Sequence, residues 1–204
     1  MIHTIVKLLR LTRAIWDLLA KESYLSKEGY WRSLVVSKPE DFVLIDRPWF
    51  AYSATYYLER FDVNGLSVFE YGGGCSSFYF RSRGAHVHVV EGSKQWSDFL
   101  IDNGFSCNFH DLEADYVGAI SQGSENKWDI ILVDGDFREK CIQKAVDHLK
   151  QGGWLILDDF HRIPHKQIND LTFLFEVCIP FVGLGPFSAR TQRTLICHNF
   201  RGAG

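Results

Sequence analysis

A chain of 204 residues with a formal net charge of −3 is long enough to bury one sizeable hydrophobic core and too short for two. Its 46% hydrophobic and 23% charged residues are ordinary for a globular protein, which excludes extensive disorder. No block of five or six like charges is present, so we expect no nucleic-acid partner, and a small-molecule or glycan acceptor is favoured.

Residues 1–19 are dense in apolar side chains, interrupted by Lys7, Arg10, Arg13 and Asp17. A membrane-spanning helix needs about 20 nearly uncharged residues, and no small-residue cleavage site follows, so we predict neither a span nor a signal peptide. We expect an amphipathic helix that packs on the domain or on a second copy of the chain in a homodimer. The alternative is peripheral contact with a membrane surface, since the charges of this helix are mostly basic.

The five cysteines are scattered along the chain and never form a CxxC pair: Cys75, Cys107, Cys141, Cys178 and Cys197. An odd number of cysteines without metal-ligand spacing is typical of reduced thiols. We therefore predict that these five residues are reduced thiols in a cytoplasmic protein.

From Leu66 onward, short β-rich runs alternate with helical patterns, which is typical of βαβ units around a parallel sheet. Helices are predicted at 76–83, 93–103 and 140–149, with Gly152 and Gly153 ending the last of them. The predicted strands are 66–71, 85–91, 105–110, 128–134 and 154–158, followed by 177–183 and 193–199 as an antiparallel closing pair. The predicted fold is α/β, a Rossmann-like, doubly wound, mostly parallel seven-stranded sheet with an antiparallel last strand. Residues 61–204 would form this domain, and residues 1–60 an N-terminal helical extension packed on its core.

Five successive predicted strands each end on or beside an acidic residue: Glu70, Glu91, Asp111, Asp134 and Asp158. In open α/β sheets, ligands bind outside the carboxyl ends of the strands, so these acids should converge on one crevice. Capping of the following helix explains any single acid at such a position. Five acidic residues at successive strand ends favour a ligand site.

The segment EYGGGCSS, residues 70–77, follows the first of these strands. Its glycines allow the backbone to approach a ligand closely and to turn into a helix whose N-terminal amides suit a carboxylate or a phosphate. The spacing departs from the dinucleotide pattern GxGxxG, because Ser77 stands where glycine or alanine is expected.

Together with VVEGS at 89–93, this turn resembles motifs I and II of class I S-adenosylmethionine-dependent methyltransferases, over roughly 66–199. The resemblance implies that Glu70, Gly72 and Gly74 hold the methionine end of the cofactor. It also implies that Glu91 takes both ribose hydroxyls, and that Asp111 contacts the adenine amino group or is an ordinary loop acid. The cofactor-binding residues implied in this way are Glu70, Gly72, Gly73, Gly74, Ser76, Glu91, Gly92, Asp111 and Asp134.

The later stretch at 133–160 is similar to sugar O-methyltransferases, which have a DGD after the fourth strand and a DD after the fifth. The similarity implies that Asp134, Asp158 and Asp159 bind a magnesium ion, which would lower the pKa of a bound hydroxyl, and that Asp136 is the general base. In the alternative, Asp134 orients the cofactor amine and Asp159 caps the next helix without a metal. The chain departs from this family's pattern at 137–139.

A bacterial branch of the same superfamily resembles the chain at 45–61 and at GLGP, residues 183–186. This resemblance implies that Trp49, Tyr52 and Tyr56 line the entrance of the site. Arg138, His161 and Arg162 would then meet an acidic or hydroxylated acceptor. Alternatively, the aromatic residues pack the core and His161 faces water. The predicted catalytic residues are Asp136, Asp134 and His161.

We therefore predict an S-adenosylmethionine-dependent enzyme that methylates a hydroxyl of a sugar or another small acceptor. A nicotinamide-dependent oxidoreductase would share the glycine turn and Glu91, but its hydride-transfer site does not need the acids at 134–136 and 158–159. A non-catalytic cofactor-binding protein of the same fold is the third alternative, disfavoured because a lapsed site has no physical reason to retain those acids.

Overall fold

A seven-stranded sheet forms the centre of this computed structural model, which describes residues 2–36, 38, 41, 47–122 and 127–202. Its strands are β1 (Ser67–Tyr71), β2 (His86–Glu91), β3 (Ser106–Phe109), β4 (Trp128–Val133), β5 (Leu149–Asp158), β6 (Phe175–Gly185) and β7 (Ser188–Phe200). Their order in the sheet is β3-β2-β1-β4-β5-β7-β6. Strand β7 runs antiparallel to both of its neighbours, and the other pairs are parallel. The predicted fold class, with its antiparallel last strand, is confirmed.

Helices flank this sheet and precede it along the chain. The described α-helices are α1 (Ile2–Leu19), α2 (Tyr24–Lys27), α3 (Tyr30–Ser33), α4 (Tyr52–Leu58), α5 (Cys75–Ser82), α6 (Lys94–Asp102), α7 (Glu113–Gly118), α8 (Arg138–His148) and α9 (His165–Thr172). Short 3₁₀ turns follow at Ala119–Ser121 and Phe160–Arg162.

Both faces of the sheet are buried, because successive residues of an inner strand point to opposite faces. In β4, Ile130 and Leu132 belong to the hydrophobic cluster that includes residues of α4, α5 and α6. Ile131 and Val133 belong to the cluster on the other face, with residues of α7, α8 and α9. A three-layer structure results, and the carboxyl ends of the strands lie at its rim.

The winding of the chain reverses at β1, which lies between β2 and β4. Tyr71, the last residue of β1, is in register with Val90 of β2 and with Val133 of β4. Its carbonyl oxygen accepts the N–H groups of both Asp134 and Gly135, at 2.9 and 2.7 Å. The segments that follow β1 and β4 therefore leave the sheet side by side, at the switch point where doubly wound sheets bind ligands.

The start of β5 differs from the prediction. Gly152 and Gly153 do not end a helix, because α8 has already ended at His148 and β5 begins at Leu149. The register with β4 shifts between Trp128 and Ile130. A Cβ on Gly153 would lie 2.7 Å from the backbone oxygen of Lys150, so the backbone can turn this tightly only with glycine at 153. The glycines therefore allow a bulge in the strand, and they do not end the helix.

Strands β6 and β7 bring Cys178 and Cys197 opposite each other, and the two form a disulfide with their Cα atoms 4.1 Å apart. The prediction of five reduced thiols is therefore wrong for this pair, whereas Cys75, Cys107 and Cys141 lie outside this disulfide. The pairing depends on the register between strands, which the spacing of cysteines along the sequence does not reveal.

Helix α1 differs from the expectation that the N-terminal extension packs on the core. Its large apolar side chains from Ile5 to Leu19 are between 40% and 76% exposed, and the helix contacts α2. The part of the extension that does pack on the core includes Phe50, Ala54 and Leu58, all fully buried. Periodicity along α1 predicts an apolar face but not what covers that face. Within the described parts of the chain, no helix is long and apolar enough to cross a membrane.

Candidate active site

A cavity of about 290 Å³ opens at the carboxyl ends of β1, β2 and β4. Six of the residues predicted to bind the cofactor line it: Gly72, Gly73, Gly74, Ser76, Glu91 and Asp134. Four further residues that the sequence singled out also line it: Trp49, Asp136, Arg138 and Arg162. The remaining lining residues were not predicted: Cys75, Trp96, Tyr116 and Gly135.

The glycine turn after β1 packs directly against the turn after β4. Gly72 has a φ of +86°, in the left-handed region that glycine adopts without steric cost. A Cβ on Gly72 would lie 2.5 Å from the Cα of Gly135, and a Cβ on Gly135 would collide with the hydroxyl of Tyr116. Both positions therefore require glycine, and this part of the cavity wall is bare backbone.

Glu91, the last residue of β2, reaches the glycine turn. Its Oε2 accepts the N–H of Gly73 at 2.9 Å, and its Oε1 accepts the N–H of Ser93 at 2.7 Å. Burial raises the pKa of this carboxyl, and the hydrogen bonds from the two backbone amides act in the opposite direction. The two features that the resemblance assigns to the cofactor, the glycine turn and this carboxylate, therefore line one cavity.

Glu70 lies beneath the glycine turn and is not among the residues that line the cavity. It is fully buried, and the hydroxyl of Ser77 donates to its Oε2. The same hydroxyl oxygen accepts the N–H of Gly74 at 3.1 Å. Burial raises the pKa of Glu70 to about 8, although hydrogen bonds from neighbouring serine hydroxyls lower it. Glu70 therefore positions the turn through Ser77.

Asp134 follows β4 and is held by Arg138, the first residue of α8. Nη2 of Arg138 lies 3.0 Å from Oδ1 of Asp134 and also donates to the carbonyl oxygen of the same residue. Burial raises the pKa of Asp134 to about 6, Arg138 lowers it, and the negative charge of Asp159 raises it further. A carboxyl with such a pKa takes up and releases a proton near neutral pH, as a general base must.

The acids predicted to hold magnesium at the end of β5 are engaged by protein groups. Asp158 is 4% exposed, and its Oδ1 accepts the hydroxyl of Thr194 at 2.6 Å. Asp159 lies 3.4 Å from Nε of Arg162 and 3.8 Å from Nδ1 of His161. Across the described ranges of the chain, no group of three or more His, Cys, Asp or Glu side chains is placed to hold a metal ion. The donor set therefore does not fit magnesium.

Asp158, the last residue of β5, is almost completely buried and lies near a second acid, Asp134. The pKa of Asp158 is raised well above its ordinary value, first by burial and then by the charge of Asp134. Thr194, which donates to Asp158, also accepts the N–H of Ala51 at 3.2 Å. Asp158 is thereby tied to the segment that carries Trp49.

Asp136 lies on the β2 side of the cavity. Its Oδ2 is 2.9 Å from the position that a Cβ would take on Gly92, and its charge raises the pKa of Glu91. Gly92 itself is not a lining residue. Asp136 is therefore beside the carboxylate that the resemblance assigns to the ribose, a position that sequence spacing alone does not reveal.

Several other predicted residues do not line the cavity. Asp111 is exposed in the segment that follows β3, and His161 lies with Asp159 outside the cavity lining. Tyr52 is fully buried in a small cluster with residues of α2 and α3, which matches the alternative that the aromatic residues pack a core. The hydroxyl of Tyr56 donates a hydrogen bond to Glu28.

An aromatic group lies over the glycine turn. The ring of Trp49 is 6.5 Å from that of Trp96 and 4.4 Å from that of Phe187, at the turn between β6 and β7. Nε1 of Trp49 donates to Sγ of Cys75 at 3.2 Å. The backbone N–H of Phe187 donates to Ser33 at 2.8 Å. Trp96 lies within the helix predicted at 93–103, but helical periodicity does not distinguish a core contact from a cavity wall.

No protein-family model and no curated protein sequence matches this chain. Among solved structures, TehB from Haemophilus influenzae is similar with a TM-score of 0.55 and 14% identity, over 85% of this chain and 67% of that one. Protein 1320 of Thermoplasma acidophilum is similar with a TM-score of 0.54 and 14% identity, over 83% of this chain and 100% of that one. The T. thermophilus 16S rRNA N2 G1207 methyltransferase RsmC gives a TM-score of 0.48 and 15% identity over 80% of this chain.

The chain spans 43% of the length of RsmC and the whole length of the Thermoplasma protein. At these identities, the likenesses concern the fold. The chain has the Rossmann-like α/β fold, with an antiparallel last strand, that the sequence predicts.

Proposed function

We propose that this chain is an S-adenosylmethionine-dependent methyltransferase that methylates a hydroxyl group of a small acceptor such as a sugar. The observation that carries the proposal is one cavity at the switch point, lined by the glycine turn, Glu91 and Asp134. When bound, S-adenosylmethionine supplies an electrophilic methyl group on a sulfonium sulfur. The residues of the chain bind this donor, orient it and take the proton of the acceptor.

The nucleoside end of the donor fits the β2 side of the cavity. A carboxylate offers about four lone-pair positions, so Glu91 can accept two ribose hydroxyls in addition to the amide N–H groups that it holds. Trp96 presents an aromatic surface for the adenine ring beside Gly74, where an added Cβ would lie 3.9 Å from the indole. The bare backbone of the turn leaves room for the chain that links the ribose to the sulfonium.

Asp134 is the best candidate for the proton acceptor among the three predicted catalytic residues. It lines the cavity, and its pKa of about 6 suits a general base. Asp136 lies beside Glu91, at the nucleoside end, and His161 does not line the cavity. Because methyl transfer otherwise requires mainly aligned reactants, we assign the larger part of catalysis to positioning by the cavity walls.

The acceptor class is tested with donor that carries a radiolabelled methyl group. The purified chain is incubated with separate pools of monosaccharides, glycosides, phenols and an RNA oligonucleotide. We expect label in a hydroxylated small molecule, and we expect Asp134→Asn to lower turnover by about 100-fold or more, the usual contribution of a positioned general base. The control is Asp111→Asn, an exposed acid outside the cavity lining.

Two results would count against the proposal. Transfer of label only to RNA would contradict the small-molecule acceptor. Tight donor binding without transfer to any pool would favour the non-catalytic alternative, in which the same fold binds the cofactor without turnover.

A further inference from the structure

Helix α1 presents a broad apolar surface to solvent. At 100° per residue, its large apolar side chains between Ile5 and Leu19, other than Val6, fall on about one half of the helix. Trp16 on that half is 76% exposed, and Leu9 is 64% exposed. The opposite half carries most of the charge of the helix. This apolar half is wider than the narrow apolar stripe that a helix buries in a coiled coil.

The charge of the opposite half is mainly basic, as it is in the whole N-terminal segment. Lys7, Arg10 and Arg13 lie there with one acid, Asp17. Residues 1–36 carry 6 basic and 3 acidic side chains, whereas the rest of the chain carries 16 basic and 22 acidic ones. Such an asymmetry of charge within one chain indicates an anionic partner for the basic part.

We propose that α1 docks the protein on the surface of a bilayer that contains anionic lipids. The apolar half lies among the acyl chains, roughly 5–10 Å below the headgroups, with Trp16 at its side. The basic half stays level with the headgroups, whose negative charge it complements. The acidic remainder of the chain faces the aqueous phase. This docking is independent of the proposed methyl transfer.

Two other occupants fit these observations less well. A second copy of α1 would cover the apolar half but would leave the basic half facing water with no anionic partner. A nucleic acid would match the basic half but would leave the apolar half in water. A bilayer with anionic lipids both buries the apolar half and complements the charge of the basic half.

The test is co-sedimentation of the full chain with vesicles of phosphatidylcholine alone or with about one third phosphatidylserine. We expect sedimentation with the mixed vesicles and little with phosphatidylcholine alone. Leu9→Glu/Trp16→Glu should lower the bound fraction at least tenfold, because two charges would have to enter the apolar layer. Arg10→Gln/Arg13→Gln should weaken binding to the mixed vesicles by about 25-fold, on the order of fivefold for each basic residue.

The matched control is Phe173→Glu, which places a charge on a side chain that is 75% exposed and lies outside α1. It should sediment as the unaltered chain does. Far-UV circular dichroism of every variant shows that the domain is folded, and binding of S-adenosylhomocysteine tests the proposed function separately.

Three results would overturn the docking proposal. The first is an unaltered chain that stays in the supernatant with both kinds of vesicle. The second is a dimer in analytical ultracentrifugation that Leu9→Glu/Trp16→Glu converts to monomer, without vesicle binding, which would assign the apolar half to a second copy. The third is tight binding to an RNA oligonucleotide in place of the vesicles.

Discussion

Glu91 is the residue whose exchange tests recognition of the cofactor ribose. Glutamine keeps the shape of the side chain and one acceptor oxygen but removes the negative charge. Hydrogen bonds to a charged group contribute about 1.5–3 kcal/mol, so we expect Glu91→Gln to raise the Kd for S-adenosylhomocysteine by roughly 10- to 100-fold. Isothermal titration calorimetry measures this change directly.

The control for Glu91→Gln is Asp111→Asn. Asp111 is exposed and does not line the cavity, so the Kd of this variant for S-adenosylhomocysteine should stay close to that of the unaltered chain. An equal loss of affinity in both variants would support the contact between Asp111 and the adenine amino group that the resemblance implies. Unchanged affinity in Glu91→Gln would contradict the assignment of the ribose to this carboxylate.

Glu70 makes the stability of the ligand-free protein depend on pH. Its pKa is about 8 in the folded chain, against 4.5 for an ordinary glutamate, because the carboxyl is buried. Between these pH values the folded chain holds a proton that the unfolded chain has released, so the free energy of unfolding falls as the pH rises. The raised pKa values of Asp134 and Asp158 act in the same direction.

We therefore expect the Tm to be higher near pH 5 than near pH 8.5, as measured by differential scanning calorimetry. Each unit by which a carboxyl pKa is raised corresponds to about 1.4 kcal/mol of stability lost across the window. Glu70→Gln removes one titrating group while keeping an oxygen for the Ser77 hydroxyl, so its Tm should change less with pH. A Tm that rises over this range would contradict the assignment of a protonated, buried Glu70.

Sequence reasoning identified the acids at the strand ends but not the direction in which each side chain points. Glu91 is the last residue of β2 and faces the cavity, whereas Glu70 is the next-to-last residue of β1 and lies beneath the turn. Because side chains alternate along a strand, moving an acid by one residue along the strand places its side chain on the opposite face of the sheet. The engagement of Asp158 by Thr194 depends on the pairing of β5 with β7, which a single sequence does not specify.

At the scale of elements, the closing hairpin of β6 and β7 is held by a disulfide in addition to its ladder. Cys178 and Cys197 are 19 positions apart, and a crosslink that closes a loop of this size stabilises a protein by about 2–4 kcal/mol. We expect a reducing agent to lower the free energy of urea unfolding by about this amount. The double variant Cys178→Ala/Cys197→Ala, which has no bond to break, should show no response to the reducing agent.

Alkylation of the denatured, unreduced chain provides an independent count of thiols. Mass spectrometry should show three labelled cysteines, the three outside the disulfide, and five after reduction. Five labelled cysteines before reduction would contradict the disulfide and would restore the prediction of reduced thiols.

The sheet was predictable from the sequence because its inner strands are short apolar runs, covered on both faces and followed by acids or glycines. The run WDIILV of β4 is the clearest example, since it is buried along nearly its whole length. The start of β5 was not predictable, because a pair of glycines ends a helix in one context and allows a strand to bulge in another.

At the scale of the whole molecule, the sequence predicted the α/β architecture but not the placement of α1. Periodicity shows that one side of α1 is apolar, and the exposure of Trp16 shows that the described part of the chain leaves this side uncovered. The acceptor, the cytoplasmic location and the homodimer stay predictions, since they depend on groups outside the chain.

The cavity at the switch point should bind a sulfonium nucleoside or its thioether product, and a calorimetric comparison checks this. The purified chain is titrated with S-adenosylhomocysteine and, separately, with NADH, and the Glu91→Gln variant is titrated alongside. We expect a saturable site for S-adenosylhomocysteine that weakens in the variant, and no saturable site for NADH. Tight binding of NADH with none for S-adenosylhomocysteine would contradict this expectation.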